Sequence, residues 1–215
     1  MARARKISTV KPQASAARVG SHPTRDKLLE TTVELLQGNL PQAITSEMVL
    51  KKSGVSRGSL YHHFADFSEL LEVALVEAFA GHVDQTIALL TELIKDSTTR
   101  EQVGAGLDRV TELTQSDAMR PVRFSRARLI AFSEDNPRLA AALAKEQQRL
   151  TNTLTDIIRE GQARDLIRSD VDAHATAVFI QAYSLGRIVD DIVPEKVDPQ
   201  AWNALIRLLV EKVFI

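Results

Sequence analysis

One stretch, residues 44–64, limits what this chain can fold into more than any other. Thr45 can accept a backbone N–H of the following turn and so begin a short helix. Gly54 stands where that helix must end, because glycine readily adopts the left-handed conformation of a helix terminus. Ser56 can then cap a second helix in the same way. The spacing therefore predicts two short helices around a tight turn.

The second short helix has an inner and an outer face. Leu60 and Phe64 are four residues apart, so both point towards the core. The side chains left on the outer face are those of Arg57, Ser59, Tyr61 and His62. A short polar helix braced by a preceding one is typical of a helix-turn-helix protein that reads the DNA major groove. Such patterns also occur in folds that bind no DNA, but local positive charge favours the DNA-binding interpretation.

At these positions the chain resembles the TetR family of bacterial repressors. The family pattern is a Thr-capped helix, then Gly-Val-Ser, Leu-Tyr-x-His-Phe and a short link into a long helix. The matching residues are Thr45, Gly54, Val55, Ser56, Leu60, Tyr61, His63, Phe64, Leu70 and Leu71. The match spans about residues 24–75. Beyond it only the all-helical layout is similar.

The chain departs from the family pattern at two positions. Leu50 stands where the family often has a small residue, and Phe67 stands where it usually has a lysine just before the long helix. That lysine commonly contacts a phosphate, so one backbone contact is in question here.

Helical periodicity and the resemblance predict an all-α fold. We expect an N-terminal three-helix helix-turn-helix DNA-binding domain and a C-terminal helical ligand-binding and dimerisation domain. The predicted parts are a disordered basic arm at 1–22, the DNA-binding domain at 23–68 and the ligand-binding and dimerisation domain at 69–215. Helices are expected at 24–37, from the residue after Asp66 through Ile94, and at 99–115, 121–133, 137–163, 171–190 and 199–213. No stretch alternates as a strand would.

Charge is distributed unevenly along the chain. Residues 1–68 hold ten Lys/Arg against five Asp/Glu, a net charge of +5, and since the whole chain is −1 the remainder carries −6. A cationic module on an acidic body is typical of a nucleic-acid-binding protein. There is no cysteine and no apolar run of the length of a membrane span, and the basic start lacks an apolar signal-peptide core. We expect a cytoplasmic protein.

Five cations without an acidic partner lie near the start of the chain: Arg3, Arg5, Lys6, Lys11 and Arg18. One interpretation is a solvated tail. The other is an arm that reaches phosphates or the minor groove, as homeodomain arms do.

The predicted DNA contacts come from the two short helices. They are Thr45, Ser46, Arg57, Gly58, Ser59, Tyr61, His62 and His63. Arg57 can pair with guanine O6 and N7 or with a phosphate, and His62 can meet a base edge or a phosphate. Thr45 and Ser46 present a helix N-terminus, where the dipole favours phosphate. The resemblance implies that the Tyr61 hydroxyl bonds a phosphate, and we predict double-stranded DNA with a palindromic operator as the partner.

The last two predicted helices are strongly apolar. A broad apolar face on both predicts a two-fold interface of a homodimer, and the resemblance implies a four-helix bundle across it. The predicted interface residues are Phe179, Trp202, Leu205 and Leu209. The alternative is that these helices only close the core of one subunit.

A pocket for a small, largely apolar molecule is expected among the inner helices. The predicted lining residues are Phe79, Met119, Arg123, Phe124, Arg126 and Tyr183, with Phe132, Arg128 and His174 as further candidates. Arg123 and Arg126 share a helix face, which suits either an anionic ligand or a solvated face paired with neighbouring acids.

Nothing in the sequence predicts catalysis. The nucleophile-elbow, zinc-protease, phosphate-loop and dinucleotide motifs are missing. Asp190 and Asp191 are adjacent, so we expect them to cap or solvate a helix end. Neighbouring His62 and His63 point about 100° apart on a helix and make a poor metal pair. No enzyme activity, cofactor or metal is predicted.

Two functional hypotheses remain. One is a dimeric transcriptional repressor that a small molecule releases from its operator. The other is an all-helical interaction or ligand-carrier module that has lost its operator, an idea to which Phe67 lends weight. Lys51, Lys52 and Arg57 favour the repressor.

Overall fold

The computed structural model describes residues 22–215, in which helices and their connections account for the whole fold. The predicted arm at 1–22 lies outside these residues except for His22. The helices are α1 (Pro23–Gly38), α2 (Ser46–Ser53), α3 (Arg57–His63), α4 (Phe67–Asp96), α5 (Arg100–Thr114), α6 (Arg120–Ser133), α7 (Pro137–Ala163), α8 (Ala173–Gly186), α9 (Ile188–Asp191) and α10 (Pro199–Leu209). The all-α prediction is confirmed.

The N-terminal unit is a small helical cluster with its own core. Buried apolar side chains from α1, α2, α3 and the start of α4 meet there; they are Leu28, Leu29, Ile44, Val49, Leu60, Phe64, Leu70 and Ala74. Helix α1 begins at Pro23, a favoured first position, and the Thr24 N–H donates to His22 Nδ1 at 3.3 Å. Because Leu70 and Ala74 belong to this core, it takes in the first two turns of α4.

Helix α4 joins the two units without interruption over 30 residues. It starts with a reciprocal cap: the Glu69 N–H donates to Asp66 at 2.8 Å and the Ala65 N–H donates to Glu69 at 2.6 Å. Among residues 22–215 it is the one helix long and apolar enough to cross a bilayer by length and composition. Here it packs against α1 on one side and α7 on the other, as a central core helix does.

The larger core lies between α4 and α7. Its buried residues include Phe79 and Val83 from α4 and Leu150 and Leu154 from α7. Leu71, on α4, packs against both cores and so ties the two units together.

Glu72 fastens α4 to the start of α7. Its buried carboxylate accepts hydrogen bonds from Asn136 Nδ2 at 2.8 Å and Arg138 Nε at 2.7 Å. Asn136 also caps α7 by accepting the Leu139 N–H at 3.0 Å. One carboxylate thus fixes where α7 begins relative to α4.

The helix predicted over 171–190 is wrong in one respect, because the chain bends at Arg187. Helix α8 ends at Gly186, and the four-residue α9 follows. The bend takes Asp191 into the interior, where it pairs with Arg123. The expectation that Asp191 solvates a helix end is therefore also wrong.

The C-terminal segment closes a third, smaller core. After α10 the chain makes a π-helical turn over Val210–Phe214, which buries Ile206, Val210 and Phe214. The predicted helix over 199–213 is therefore confirmed in place but ends in a wider turn.

Candidate nucleic-acid interface

The turn between α2 and α3 has the geometry that its residues predict. Thr45 accepts the Met48 N–H at 3.3 Å, and Gly54 has φ 67°, in the left-handed region. The Gly54 N–H donates to the Leu50 carbonyl at 2.9 Å and so ends α2. Ser53, which is buried, accepts the Val55 N–H through its hydroxyl at 3.2 Å. The turn is thus stabilised by the buried Ser53 hydroxyl as well as by the left-handed glycine.

Helix α3 is oriented by its cap and its apolar face. Ser56 accepts the Ser59 N–H at 3.1 Å, and its hydroxyl lies 2.9 Å from that of Ser59. Leu60 and Phe64 are buried in the N-terminal core. With that face fixed inwards, the opposite face of the helix is presented to the outside.

The outward face carries the predicted contacts. Arg57, Gly58, Tyr61 and His62 are exposed, and half of the Tyr61 surface is accessible, at 50%. Thr45, at the start of α2, is exposed, while Ser46 and Ser59 are partly buried. The structure therefore brings seven of the eight predicted contacts to the first turns of α2 and to α3, with His63 set to one side.

His63 belongs to a cluster of histidines between α1 and α3. Its ring centroid lies 4.6 Å from that of His22 and 5.0 Å from that of His62. Partial burial, followed by the neighbouring His22, His62 and Arg25, lowers the pKa of His63 below its usual value. Among residues 22–215 no group of three or more candidate ligands is arranged to hold a metal.

Two further residues lie at this end: Arg25, which was expected near a DNA phosphate, and His22, which was not predicted. Arg25 stands over the Phe64 ring at 5.2 Å, and His22 contacts His63. Both lie on α1 or just before it, and their proximity depends on how α1 crosses α3. Arg25 is the third residue of α1, and nothing in the local sequence indicates how α1 crosses α3.

Phe67 and Leu50, the two departures from the family pattern, both face the N-terminal core. Each is partly buried against the residues of that core. Phe67 therefore contributes packing at the start of α4, where the family lysine would offer a charge.

The predicted interface residues divide into two pairs. Phe179 and Leu205 are exposed, at 44% and 49% of their surface. Trp202 and Leu209 pack instead against the small C-terminal core. The Trp202 indole N–H donates to Gln115 at 3.1 Å, so Trp202 serves its own subunit.

The six predicted pocket residues do not gather at one site. Phe79 is buried in the larger core beneath the Arg126 guanidinium, and Tyr183 lies near Phe179 at a ring distance of 5.7 Å. Phe124 stacks under Arg120, Met119 lies in the turn before α6, and Arg123 is paired with Asp191. Of the six, Phe79 and Arg126 are in direct contact.

Exposed recognition residues on a capped α3, a left-handed glycine turn and an all-helical body define a helix-turn-helix DNA-binding regulator. Residues 28–74 match the family described as bacterial regulatory proteins, tetR family. The DNA-binding unit of this chain therefore has the helix-turn-helix of the TetR family of transcriptional regulators.

Relatives agree with this assignment along most of the chain. The nucleoid occlusion factor SlmA of Alteromonas mediterranea is 26% identical over 172 residues, covering 76% of this chain and 81% of that protein. The HTH-type transcriptional regulator UidR of Escherichia coli K12 is 23% identical over 190 residues, covering 86% and 92%. A transcriptional regulator from Saccharomonospora viridis, solved in complex with choline, has the same fold with a TM-score of 0.63 at 18% identity, covering 88% and 96%.

Proposed function

We propose that this chain is a cytoplasmic, dimeric repressor that binds a palindromic operator and leaves it when a small molecule binds. The observation that carries the proposal is the exposed face of α3, which presents Arg57, Tyr61 and His62. The orientation of this helix is fixed by its N-terminal cap and by the apolar side chains on its opposite, buried face. In this proposal residues 23–68 with the first turns of α4 bind DNA. Residues 69–215 bind the ligand and the second subunit.

Arg57 supplies the charge of this surface. It has no acidic partner among residues 22–215, whereas Lys52 is paired with Glu34 at 3.0 Å. A free guanidinium at the first turn of α3 is available to guanine or to phosphate. Gly58, next to it, adds no side chain that would hold the helix away from the groove.

A second copy of the chain is the occupant we propose for the apolar surface of α8 and α10. Along α8 the exposed residues Ala175, Val178, Phe179 and Ala182 recur with helical spacing. On α10, Leu205 and Leu208 are exposed in the same way, at 49% and 51%. An apolar stripe on two neighbouring helices suits an isologous contact, in which the same patch serves both subunits.

The two helices also border an open groove of about 400 Å³, whose lining includes Ala175, Phe179, Leu209 and Val213. It is almost entirely apolar. Side chains of a partner helix would fill such a groove and remove Phe179 and Val213 from water, which is the main source of association energy.

Release by a small molecule rests on the regulator solved with choline and on the continuity of α4. A ligand that prefers the body with α4 tilted would shift the dimer away from the spacing that the operator requires. By thermodynamic linkage, the operator must then weaken ligand binding by the same factor as the ligand weakens operator binding.

The test is DNA binding by purified full-length protein. Duplexes selected from a random pool give the operator, and fluorescence anisotropy gives the affinity at several salt concentrations. We expect Arg57→Ala and Tyr61→Ala to weaken operator binding at least tenfold, and a lost phosphate contact to reduce the slope of log K against log salt by about 0.9.

Arg159→Ala is the matched control, because Arg159 is an exposed arginine on α7, far along the chain from α3. It should bind like the wild type. Wild-type affinity in both α3 variants, or selection of no preferred sequence, would overturn the proposal.

A further inference from the structure

Arg126 is a half-buried cation that forms no ion pair among residues 22–215. It lies on the inner side of α6, with its guanidinium over the Phe79 ring at 5.7 Å from the centroid. Its Nε is buried and donates to no acceptor, and no carboxylate within residues 22–215 pairs with its guanidinium. Arg123, one turn earlier, is buried but has its donors filled by Asp191 and two backbone carbonyls. On the same helix, the Arg123 guanidinium therefore has hydrogen-bond acceptors for its donors, whereas the buried Nε of Arg126 has none.

Arg126 also lies close to a second basic side chain, that of His82. His82 on α4 is close enough that Arg126, after burial itself, helps to lower the pKa of His82. Burial likewise lowers the pKa of Arg126. Removing a guanidinium from water without a partner is costly, and buried charges in proteins are normally paired. An arginine kept in this state is suited to an anion that arrives from outside.

An apolar cavity lies one helical turn from this cation. It has a volume of about 90 Å³, several times the roughly 10–15 Å³ that one water needs on such a measure. Leu75 and Leu129 are among its lining residues. Leu75 precedes Phe79 by four residues and Leu129 follows Arg126 by three, so both pairs are neighbours on their helices. The cavity and the cation therefore follow one another along the seam between α4 and α6.

The cavity also touches the DNA-binding unit. Pro41 and Gln42, from the connection between α1 and α2, form part of its wall together with Leu71 of α4. Anything that occupies the cavity contacts the unit that carries α3. The seam thus contains a half-buried cation and, next to it along the helices, an apolar cavity at the junction of the two units.

We propose that the seam between α4 and α6 binds an amphipathic monocarboxylate, with its carboxylate on Arg126 and its apolar part in the cavity beside Leu75 and Leu129. The inference rests on the proposed ligand-responsive function and names the chemical class of the ligand. A guanidinium binds a carboxylate through two parallel hydrogen bonds, which would supply the partner that Arg126 lacks. The apolar part would press on Pro41 and Gln42 and so connect binding to the position of the DNA-binding unit.

The experiment uses the full chain and a series of straight-chain carboxylates from butyrate to decanoate, together with benzoate. Each is compared with its neutral amide by calorimetry and by the shift in Tm. We expect one or more carboxylates to bind the wild type, and the matching amide to bind roughly tenfold more weakly or worse. If no carboxylate binds more tightly than its amide, the proposal is overturned.

Three variants locate the charge. Arg126→Met should lose the preference for carboxylate over amide. Without ligand it should melt at the same or a higher temperature, because a half-buried cation without an ion pair has been replaced by an apolar chain. Arg126→Lys should keep part of the preference. Arg128→Met removes an exposed arginine at the cavity wall and should leave the preference intact. A preference lost in Arg128→Met and kept in Arg126→Met would place the anion at the surface and overturn the assignment.

Operator binding separates this inference from the proposed function. Arg126→Met should bind the operator like the wild type but should no longer be released by the carboxylate. If the wild type selects no operator while carboxylates bind through Arg126, the ligand site stands and the repressor function fails. If the operator is bound and no carboxylate depends on Arg126, the function stands and the ligand class is wrong.

Discussion

Arg123 holds Asp191 through two hydrogen bonds, from Nε at 2.6 Å and from Nη2 at 2.8 Å, and both side chains are buried. The remaining nitrogen donates to the carbonyls of Thr114 and Ser116 at 3.0 and 3.2 Å. One guanidinium therefore joins α6, α9 and the turn after α5. The hydrogen bonds from Arg123 lower the pKa of Asp191 below its usual value despite burial.

Breaking this pair should be strongly destabilising. Arg123→Met leaves a buried carboxylate and two carbonyls without donors, and we expect a loss of about 3–5 kcal/mol in the free energy of unfolding. Chemical denaturation at pH 7 measures it. The double variant Arg123→Met/Asp191→Leu removes both charges and should recover most of the loss. Equal stability of the single and double variants would contradict a paired role.

Alanine substitutions at Gly54 and Gly38 test whether the turn between α2 and α3 depends on a left-handed glycine, with Gly38 as the control. A Cβ at either position meets nothing within 4 Å, so packing does not distinguish them. Gly54 has φ 67°, whereas Gly38 ends α1 without a positive φ. We expect Gly54→Ala to lower stability by about 1 kcal/mol and Gly38→Ala to raise it by up to about 1 kcal/mol.

The measurement is Tm together with operator affinity. Gly54→Ala should also weaken operator binding, because the turn sets the angle of α3. Stabilisation by Gly54→Ala would show that the turn is not held in the left-handed conformation.

We expect the exposed apolar face of α8 and α10 to be the surface through which two subunits form the dimer. Leu205→Asp places a charge on the proposed interface and should produce monomers with an unchanged helical circular-dichroism spectrum. Ile130→Asp is the control, since Ile130 on α6 is exposed to the same degree, at 48% against 49%. Light scattering over a range of concentrations gives the mass. A dimeric Leu205→Asp protein would refute this face as the interface.

Trp202, which the sequence also predicted at the interface, is less suitable for such a test. Its indole bonds Gln115 and lies under Arg187 at 5.2 Å, so Trp202→Asp would damage the subunit itself.

Stability should fall on mild acidification because of His82. Burial first, and Arg126 second, lower the pKa of His82 in the folded chain. Below the unfolded pKa near 6.5 the unfolded state then binds more protons than the folded one, so stability decreases as pH falls through this region. His82→Gln should reduce this dependence between about pH 7 and pH 5. Denaturation curves across that range measure it, and an identical slope in the variant would exclude His82 as the cause.

The helix-turn-helix could be predicted almost residue by residue because its determinants are local. The side chain of Thr45 caps a helix that begins at the next residue, and Gly54 ends the helix it follows. Each of these interactions joins residues four or fewer apart, so the spacing of the residue types in the sequence is enough to predict it. The family resemblance rests on the same positions.

The body was predictable only as a set of helices. Arg123 and Asp191 are 68 residues apart, and their pairing depends on a bend at Arg187 that interrupts an apolar pattern suited to a continuous helix. On α10, the sequence pattern also does not distinguish apolar residues that face the subunit's own core from those that face a second subunit. Whether Trp202 faces Gln115 or a second subunit depends on the rotation of the helix against α5, which periodicity does not specify.

Helix α4 has a mechanical consequence that follows from its length and continuity. Thirty residues at about 1.5 Å each form a stiff rod of about 45 Å, and its sequence contains no proline that would interrupt it. A tilt of about 5° at one end moves the other by about 4 Å on that length. The seam cavity lies near the end that carries α3, where Leu71 and Leu75 line it. In the proposed dimer, a tilt of each rod about its far end would therefore move the seam and α3 together by a few ångströms, on the order of the 4 Å above. Two recognition helices displaced in this way would no longer match the spacing of a rigid DNA duplex.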